Sequence, residues 1–238
     1  MDNKELDTAV ENRKSIKINM ILNAIKGIMA VLFPLITFPY ASRILGVEGI
    51  GKYNFSNSII SYFLLLAGLR IANYARRESS EIRKQKQEFN QFASEMFSIN
   101  LITTVGSYVV LGISLYISTK LQDYRALILI LSSTVALTTI GVEWLYSIFE
   151  DYLYITIRSI AFQLLSLALL FVLVHSSDDL NRYAWITVVS SAGSNLLNFF
   201  HSYRYCNIKF TLNINWKKRM PPILVFCNGC IYNYLHQF

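Results

Sequence analysis

Long apolar runs with few charges dominate this sequence and restrict the folds open to it. Six such runs follow one another, each close to the roughly 20 residues that a helix needs to cross a bilayer. They cover approximately residues 16–40, 53–75, 96–118, 126–149, 157–175 and 183–200. Only 16% of the 238 residues are charged, whereas soluble domains carry about 25%. The sequence therefore predicts an all-α, polytopic membrane protein with six complete transmembrane helices.

A seventh apolar run begins at Pro221, but polar residues interrupt it before residue 238. We therefore expect four regions: an N-terminal cytoplasmic tail (1–15), a six-helix transmembrane bundle (16–200), a basic cytoplasmic loop (201–220) and an aberrant, incomplete seventh span (221–238). The first 15 residues are polar and of mixed sign, and the run after them is too long for the core of a signal peptide. We expect the first span to remain in the mature protein.

The stretch of residues 33–55 combines features typical of a membrane hairpin. Pro34 and Pro39 stand in apolar sequence, where proline bends or ends a helix. Gly46, Gly49 and Gly51 follow within a short polar corner, and glycine lets a chain reverse direction. These residues predict a tight turn between the first two spans.

The distribution of Lys and Arg predicts the orientation of the chain. If the N-terminus is cytoplasmic, 15 of the 22 basic residues fall in cytoplasmic segments and five in outer loops. Cytoplasmic loops carry an excess of Lys and Arg in most membrane proteins. The net charge of +7 is explained by these loops, so we expect no nucleic-acid partner.

No pattern in the sequence indicates an enzyme, a metal site or a soluble cofactor. A closed zinc site needs four ligands at suitable spacing, and Cys227, Cys230 and His236 would require Cys206, across a basic loop, as the fourth. Phosphate-binding loops, nucleophile elbows and zinc-protease motifs are absent from the sequence. We therefore assign no catalytic residue.

The segment of residues 78–100 has apolar side chains at helical spacing on one side and charged side chains on the other. The apolar set includes Phe89, Phe92 and Met96. This pattern predicts an interfacial helix that lies on the cytoplasmic leaflet, with a solvated connector as the alternative.

Three spans carry a charge inside apolar sequence, where it costs about 2.5–3.5 kcal/mol and indicates function by default. These charges are Lys26, Arg70 and Glu143. Further polar residues extend each into a stripe at helical spacing: Asn19 and Asn23 with Lys26, Asn73 and Arg77 with Arg70, Ser147 and Glu150 with Glu143. The stripes predict a water-filled cavity open to the cytoplasm, where cations suit a phosphate or pyrophosphate and Glu143 balances charge or carries a coupling ion. Alternatively, Lys26 pairs with Glu143, while Arg70 and Glu150 extend to the interface.

Three segments in order carry a resemblance to a known family. They are PLITFPYASRILGVEGIGKYNFSNSIISYF (34–63), NYARRE (73–78) and GVEWLYSIFEDYLYITIRS (141–159). They resemble bacterial polysaccharide-biosynthesis flippases, which translocate lipid-linked O-antigen or capsule repeat units. The resemblance covers about residues 16–226.

This resemblance implies the N-terminal bundle of a transporter similar to the multidrug and toxin extruders, in the bacterial cytoplasmic (inner) membrane. It implies an undecaprenyl-pyrophosphate-linked oligosaccharide as substrate, and membrane lipids and other glycan-assembly membrane proteins as partners. Arg43, Arg77, Glu143, Glu150 and Arg158 match the family pattern. We thus expect Lys26, Arg70, Arg77 and Arg43 to bind the substrate, and Glu143, Glu150 and Arg158 to serve ion coupling or charge balance.

One departure from the family stands at the C-terminal end. Family members have about 12 to 14 spans, and from Cys227 onward the sequence no longer resembles them. This implies a truncated N-terminal half, which we expect not to transport alone unless two copies pair.

Two alternative functions remain open. A drug or organic-cation exporter of the same fold should have a buried acidic site without cationic stripes. A membrane glycan polymerase or ligase needs a large outer loop, whereas the outer loops here are short.

Overall fold

A computed structural model describes residues 3–69, 71–82 and 85–216 of the chain. Within these ranges the secondary structure is helical and contains no strand. The α-helices are α1 (Asn3–Gly68), α2 (Ile71–Ile82), α3 (Lys86–Ile117), α4 (Thr119–Gln122), α5 (Arg125–Ile140), α6 (Glu143–Ile148), α7 (Tyr152–Leu173), α8 (Leu180–Val188) and α9 (Asn195–Ser202). A 3₁₀ turn (Ser177–Asp179) precedes α8, and a π turn (Val189–Gly193) separates α8 from α9. The all-helical prediction is confirmed for the described residues.

Three helical stretches among the described residues are long and apolar enough to cross a membrane. They are Met20–Ser79, Lys86–Ile117 and Tyr152–Leu173, and Arg125–Ile140 is a shorter apolar helix. Because these stretches fit a membrane protein, their exposed apolar faces suit contact with lipid. The division into six crossings stays a prediction.

Helix α1 is much longer than one bilayer crossing, and Gly46 divides it. Its 66 residues would measure about 100 Å if straight. Gly46 adopts φ 69° and ψ 178°, a conformation almost restricted to glycine. The first arm (residues 3–45) and the second arm (47–68) line the same cavity, through Lys26 and Leu64 among others. The chain therefore reverses at Gly46, inside the corner where the glycines predict a turn, and the helix continues through Pro34 and Pro39.

The apolar face predicted for residues 78–100 exists, but it packs inside the protein. Phe89, Phe92 and Met96 are at most 2% exposed and share a core cluster with Tyr74 of α2 and Trp144 of α6. Helix α3 runs without interruption from Lys86 to Ile117, so these residues form the first turns of a long helix. The interfacial-helix prediction is wrong because α2 and α6 cover the face that would contact lipid.

The predicted spans over residues 126–149 and 183–200 are both broken. The first divides into α5 and α6 at Val142, whose φ of 39° is left-handed. The second contains the π turn, a local widening of the helix that is common at functional sites. The two breaks are adjacent, because a Cβ atom added to Gly141 would come within 2.5 Å of the Asn195 side chain.

An extended segment of the predicted basic loop lies along α3, and we call residues 207–211 the strap. The amides of Asn207, Lys209 and Thr211 donate, at 2.9–3.1 Å, to the side chains of Asn90, Ser94 and Ser98, respectively. Ile208 is buried against the same core as Phe89. Part of the loop is therefore fixed to the helix bundle.

Candidate functional site

A cavity of about 570 Å³ lies between the two arms of α1 and helices α5, α7 and α8. Apolar residues such as Phe33, Ile60 and Leu131 form part of its lining. Its charged lining residues in the described part of the chain are Lys26, Glu143 and Arg158. Charged side chains between apolar helices point to this cavity as the candidate site.

Lys26 of the first arm and Glu143 of α6 form an ion pair across the cavity. The Lys26 Nζ donates to Glu143 Oε1, and the side chains remain 33% and 42% exposed. The break at Val142 makes Glu143 the first residue of α6, which places its carboxylate beside the first arm. The pairing left open by the sequence is therefore present, and both partners still line the cavity.

A second cavity of about 360 Å³ adjoins this ion pair. Asn23, Lys26, Arg76, Glu143 and Ser147 contribute its polar lining. Parts of two predicted polar stripes, Asn23 with Lys26 and Glu143 with Ser147, thus line the same cavity. Arg76 of α2 adds a second cation, and it also donates a hydrogen bond to the Asn73 side chain.

Arg158 of α7 is the most deeply buried charge of the site. The residue is only 6% exposed, and its guanidinium carbon, Cζ, lies 5.7 Å from the centre of the Tyr154 ring. Within the described part of the chain, its Nε and Nη1 have no hydrogen-bond partner. A buried guanidinium with open donors favours an acceptor that enters the cavity.

A comparison with protein families matches residues 16–231 to the family described as polysaccharide biosynthesis protein. The chain belongs to this family. The match includes every described residue that lines the two cavities, and it extends past Phe226, where the resemblance is expected to end. Comparisons with curated proteins and with solved structures give no match.

The family assignment and the apolar helices together identify a membrane protein related to polysaccharide biosynthesis. The structure brings Lys26, Glu143 and Arg158 of the predicted set together at one cavity. Arg70 lies outside the described residues, and its role stays a prediction.

Three other predicted site residues lie on the surface of this polysaccharide biosynthesis protein. Arg43 is exposed on the first arm near Gly46, and Arg77 is exposed on α2 beside Arg76. Glu150 is exposed between α6 and α7 with a φ of 57°. None of the three is among the described residues that line the cavities, and their roles stay predictions.

Sequence reasoning missed Arg76 and the uncharged polar residues of the cavity. Arg76 directly follows the predicted second span (53–75), where a basic residue is ordinary. The polar set includes Ser159, Gln163, Ser190, Ser191, Ser194 and Asn195. The signal in the sequence is the polar run SSAGSN (190–195) inside the predicted span 183–200. The mean hydropathy of the whole span conceals this run.

An aromatic cluster packs beside the site at the junction of α6, α7 and α9. The rings of Tyr154 and His201 stack with centroids 4.1 Å apart. Tyr205, in the loop after α9, donates its hydroxyl to Asp151, and burial together with this bond raises the pKa of Tyr205 to about 12. Tyr205 is therefore a neutral hydrogen-bond donor at physiological pH.

Among the described residues, no group of three or more His, Cys, Asp or Glu side chains could hold a metal ion. The cavity instead offers cationic donors together with amides and hydroxyls. Such a set can bind an anionic, hydrogen-bonding molecule by charge and by hydrogen bonds.

Proposed function

We propose that this chain translocates a lipid-linked saccharide across the bacterial cytoplasmic membrane during polysaccharide assembly. The observation that carries the proposal is a cavity between apolar helices, lined by the Lys26–Glu143 pair and by Arg158, whose buried Nε and Nη1 have no partner among the described residues. Family membership supports the connection to polysaccharide biosynthesis. The proposal includes six crossings, with the N-terminus in the cytoplasm.

The charges of the site favour an anionic head group over a cationic drug. Lys26, Arg76 and Arg158 outnumber the single carboxylate, Glu143, among the charged residues that line the two cavities in the described chain. A guanidinium offers a planar fork of donors that matches phosphate oxygens. The substrate in this proposal is therefore a polyprenyl pyrophosphate that carries sugars, with its lipid tail left in the bilayer.

The ion pair has a defined part in the proposed cycle. In the empty cavity Glu143 neutralises Lys26, which lowers the cost of a charge inside the bundle. A pyrophosphate that enters replaces Glu143 as the partner of Lys26. Transport then requires the cavity to open to each side of the membrane in turn, through the movement of one bundle against another.

Complementation of a bacterial strain that lacks its own flippase tests this proposal. The full chain, or a tandem fusion of two copies, is expected to restore surface polysaccharide. Arg158→Gln and Lys26→Gln should each reduce restoration about tenfold or more, since a hydrogen bond to a charged group contributes about 1.5–3 kcal/mol.

The chain provides a matched control in a second Lys–Glu pair. Lys52 and Glu48 contact one another at 2.6 Å on the exposed corner after Gly46, outside both cavities. Lys52→Gln should leave restoration unchanged at equal membrane abundance. Failure of both the single chain and the tandem to restore polysaccharide, or full activity of both cavity variants, would contradict the proposal.

A further inference from the structure

One wall of the larger cavity is polar but carries no charge. Two elements contribute to it: α7, and the π turn with the residues that follow it. We call this the polar wall, and it comprises Ser159, Gln163, Ser190, Ser191, Ser194 and Asn195. Its amide and hydroxyl groups can both donate and accept hydrogen bonds. Such groups are unusual in a predicted transmembrane span unless they have partners.

Close packing at two glycines holds the polar wall in place. Gly193 of the π turn lies against the Phe162 ring, since a Cβ atom added to Gly193 would meet that ring at 3.3 Å. Gly141 lies against Asn195 in the same way. The π turn therefore packs directly on α7, and the first residue of α9 packs on the break after α5, so that both elements have a fixed position at the cavity.

The polar wall has hydrogen-bonding capacity that the described chain does not use. The Gln163 Oε1 is shielded from solvent and has no partner among the described residues. Asn195 is 5% exposed, and its Oδ1 accepts a bond from Asn198 at 3.3 Å. Buried polar groups without partners are rare in folded proteins, and a ligand hydroxyl that reached Gln163 Oε1 would satisfy it.

We propose that the polar wall binds the sugar of the substrate, while Arg158 binds the phosphate nearest to it. This inference rests on the proposed function and assigns parts of the substrate to parts of the same cavity. Arg158 immediately precedes Ser159 on α7, so an anion site and a hydroxyl site adjoin on one helix. A neutral set of amides and hydroxyls suits the hydroxyl groups of a saccharide and offers no charge to a second anion.

Two lipid probes separate the sugar from the pyrophosphate. The full chain in lipid nanodiscs is titrated with a polyprenyl pyrophosphate that carries a disaccharide, and with the same lipid without sugar. Wild type should bind the sugar-bearing lipid more tightly. Gln163→Ala and Ser194→Ala should each weaken that binding about three- to tenfold, the range for one hydrogen bond to a neutral group, and leave the sugar-free lipid unaffected.

Arg158→Gln should weaken binding of both lipids about equally. Ser114→Ala is the matched control, because Ser114 of α3 bonds to the Val110 carbonyl and lies outside the cavity. Thermal unfolding of each variant checks that the fold is retained, and Gln163→Glu provides a second, similarly sized variant that should repel the phosphate and weaken both lipids.

The outcomes distinguish this inference from the proposed function. If wild type binds both lipids but the polar-wall variants bind the sugar-bearing lipid as wild type does, the sugar assignment is wrong and the proposed function stands. If wild type binds neither lipid, both the sugar assignment and the proposed function are wrong. If Gln163→Ala and Ser194→Ala weaken the binding of both lipids equally, the sugar assignment is also wrong.

Discussion

Asp179 organises the short turn between α7 and α8. Its Oδ2 accepts the backbone N–H groups of His175 and Ser176, each at 3.0 Å, and its Oδ1 accepts a bond from Arg182 at 2.6 Å. The N–H of His175 contributes most to lowering the pKa of the Asp179 carboxyl below its ordinary value. The ionised carboxylate therefore stabilises this turn.

We predict that Asp179→Asn lowers the midpoint of thermal unfolding by about 2–4 °C at pH 7. Because the folded-state pKa is depressed, the stabilisation is present above the ordinary carboxyl pKa and is lost as the pH falls through the folded value. The difference between wild type and variant, measured in detergent, should shrink toward zero in acid. Asp178→Asn, at the exposed neighbouring residue, should leave the midpoint unchanged at both pH values, and an equal effect of both variants would contradict the assignment.

Single residues differ in how well the sequence predicts their place in the site. Lys26 and Glu143 are conspicuous because a charge in an apolar run is costly, and both line the cavity. Gln163 and Ser194 give a weaker signal, since burial of a neutral polar group costs less than burial of a charge. Their position depends on the packing of α7 against the π turn, which local sequence does not encode.

At the scale of elements, α1 depends on one residue for its reversal. Gly46 has a positive φ and nothing within 4 Å of its would-be Cβ, so a side chain there would be opposed by the backbone conformation alone. We predict that Gly46→Ala destabilises the chain by about 1–3 kcal/mol. Unfolding by sodium dodecyl sulfate in mixed micelles measures this change.

Gly51 provides a matched comparison within the same helix. It is helical, exposed and equally uncrowded, so Gly51→Ala should leave stability unchanged or raise it by up to about 1 kcal/mol. Equal effects of the two substitutions would show that the reversal does not depend on the backbone of Gly46.

The broken helices show where prediction from sequence fails for elements. The apolar runs predict α3 and α7 as helices, because length and hydropathy suffice for uninterrupted spans. Val142 adopts a left-handed conformation that a β-branched residue rarely takes, and no local signal announces it. The contact between Gly141 and Asn195, 54 positions apart in the chain, accompanies this break.

At the scale of the whole molecule, the contacts gather three turns at one end of the bundle. The Phe55 and Tyr124 rings lie 4.9 Å apart, and the Tyr40 hydroxyl donates to the Val174 carbonyl at 3.0 Å. The Gly46 corner therefore lies near the turns before α5 and after α7. The strap packs on the opposite end of α3 from the turn that follows Ile117.

We predict that these two ends face opposite sides of the membrane, with the strap in the cytoplasm. A chain whose three cysteines are replaced by serine would carry either Ser177→Cys or Asn213→Cys, both at exposed positions. A membrane-impermeant maleimide applied to intact cells should label the first variant, and the second should react only after the cells are opened. Reversed labelling would refute the orientation.

The length of the strap is limited by the spacing of its hydrogen-bond acceptors along α3. Four residues along α3 advance about 6.0 Å, and two residues of extended chain advance about 6.6 Å. Because these distances are similar, every second amide of the strap can bond to every fourth residue of α3, at Asn90, Ser94 and Ser98. The difference between the two distances accumulates with each further hydrogen bond. The next residue of α3 at this spacing, Ile102, offers no side-chain acceptor. The Asn213 amide turns instead to the Thr211 hydroxyl at 3.2 Å. The two spacings thus limit how many residues of the strap can bond to α3. A one-residue insertion in the strap would turn the amides that now bond to α3 away from it.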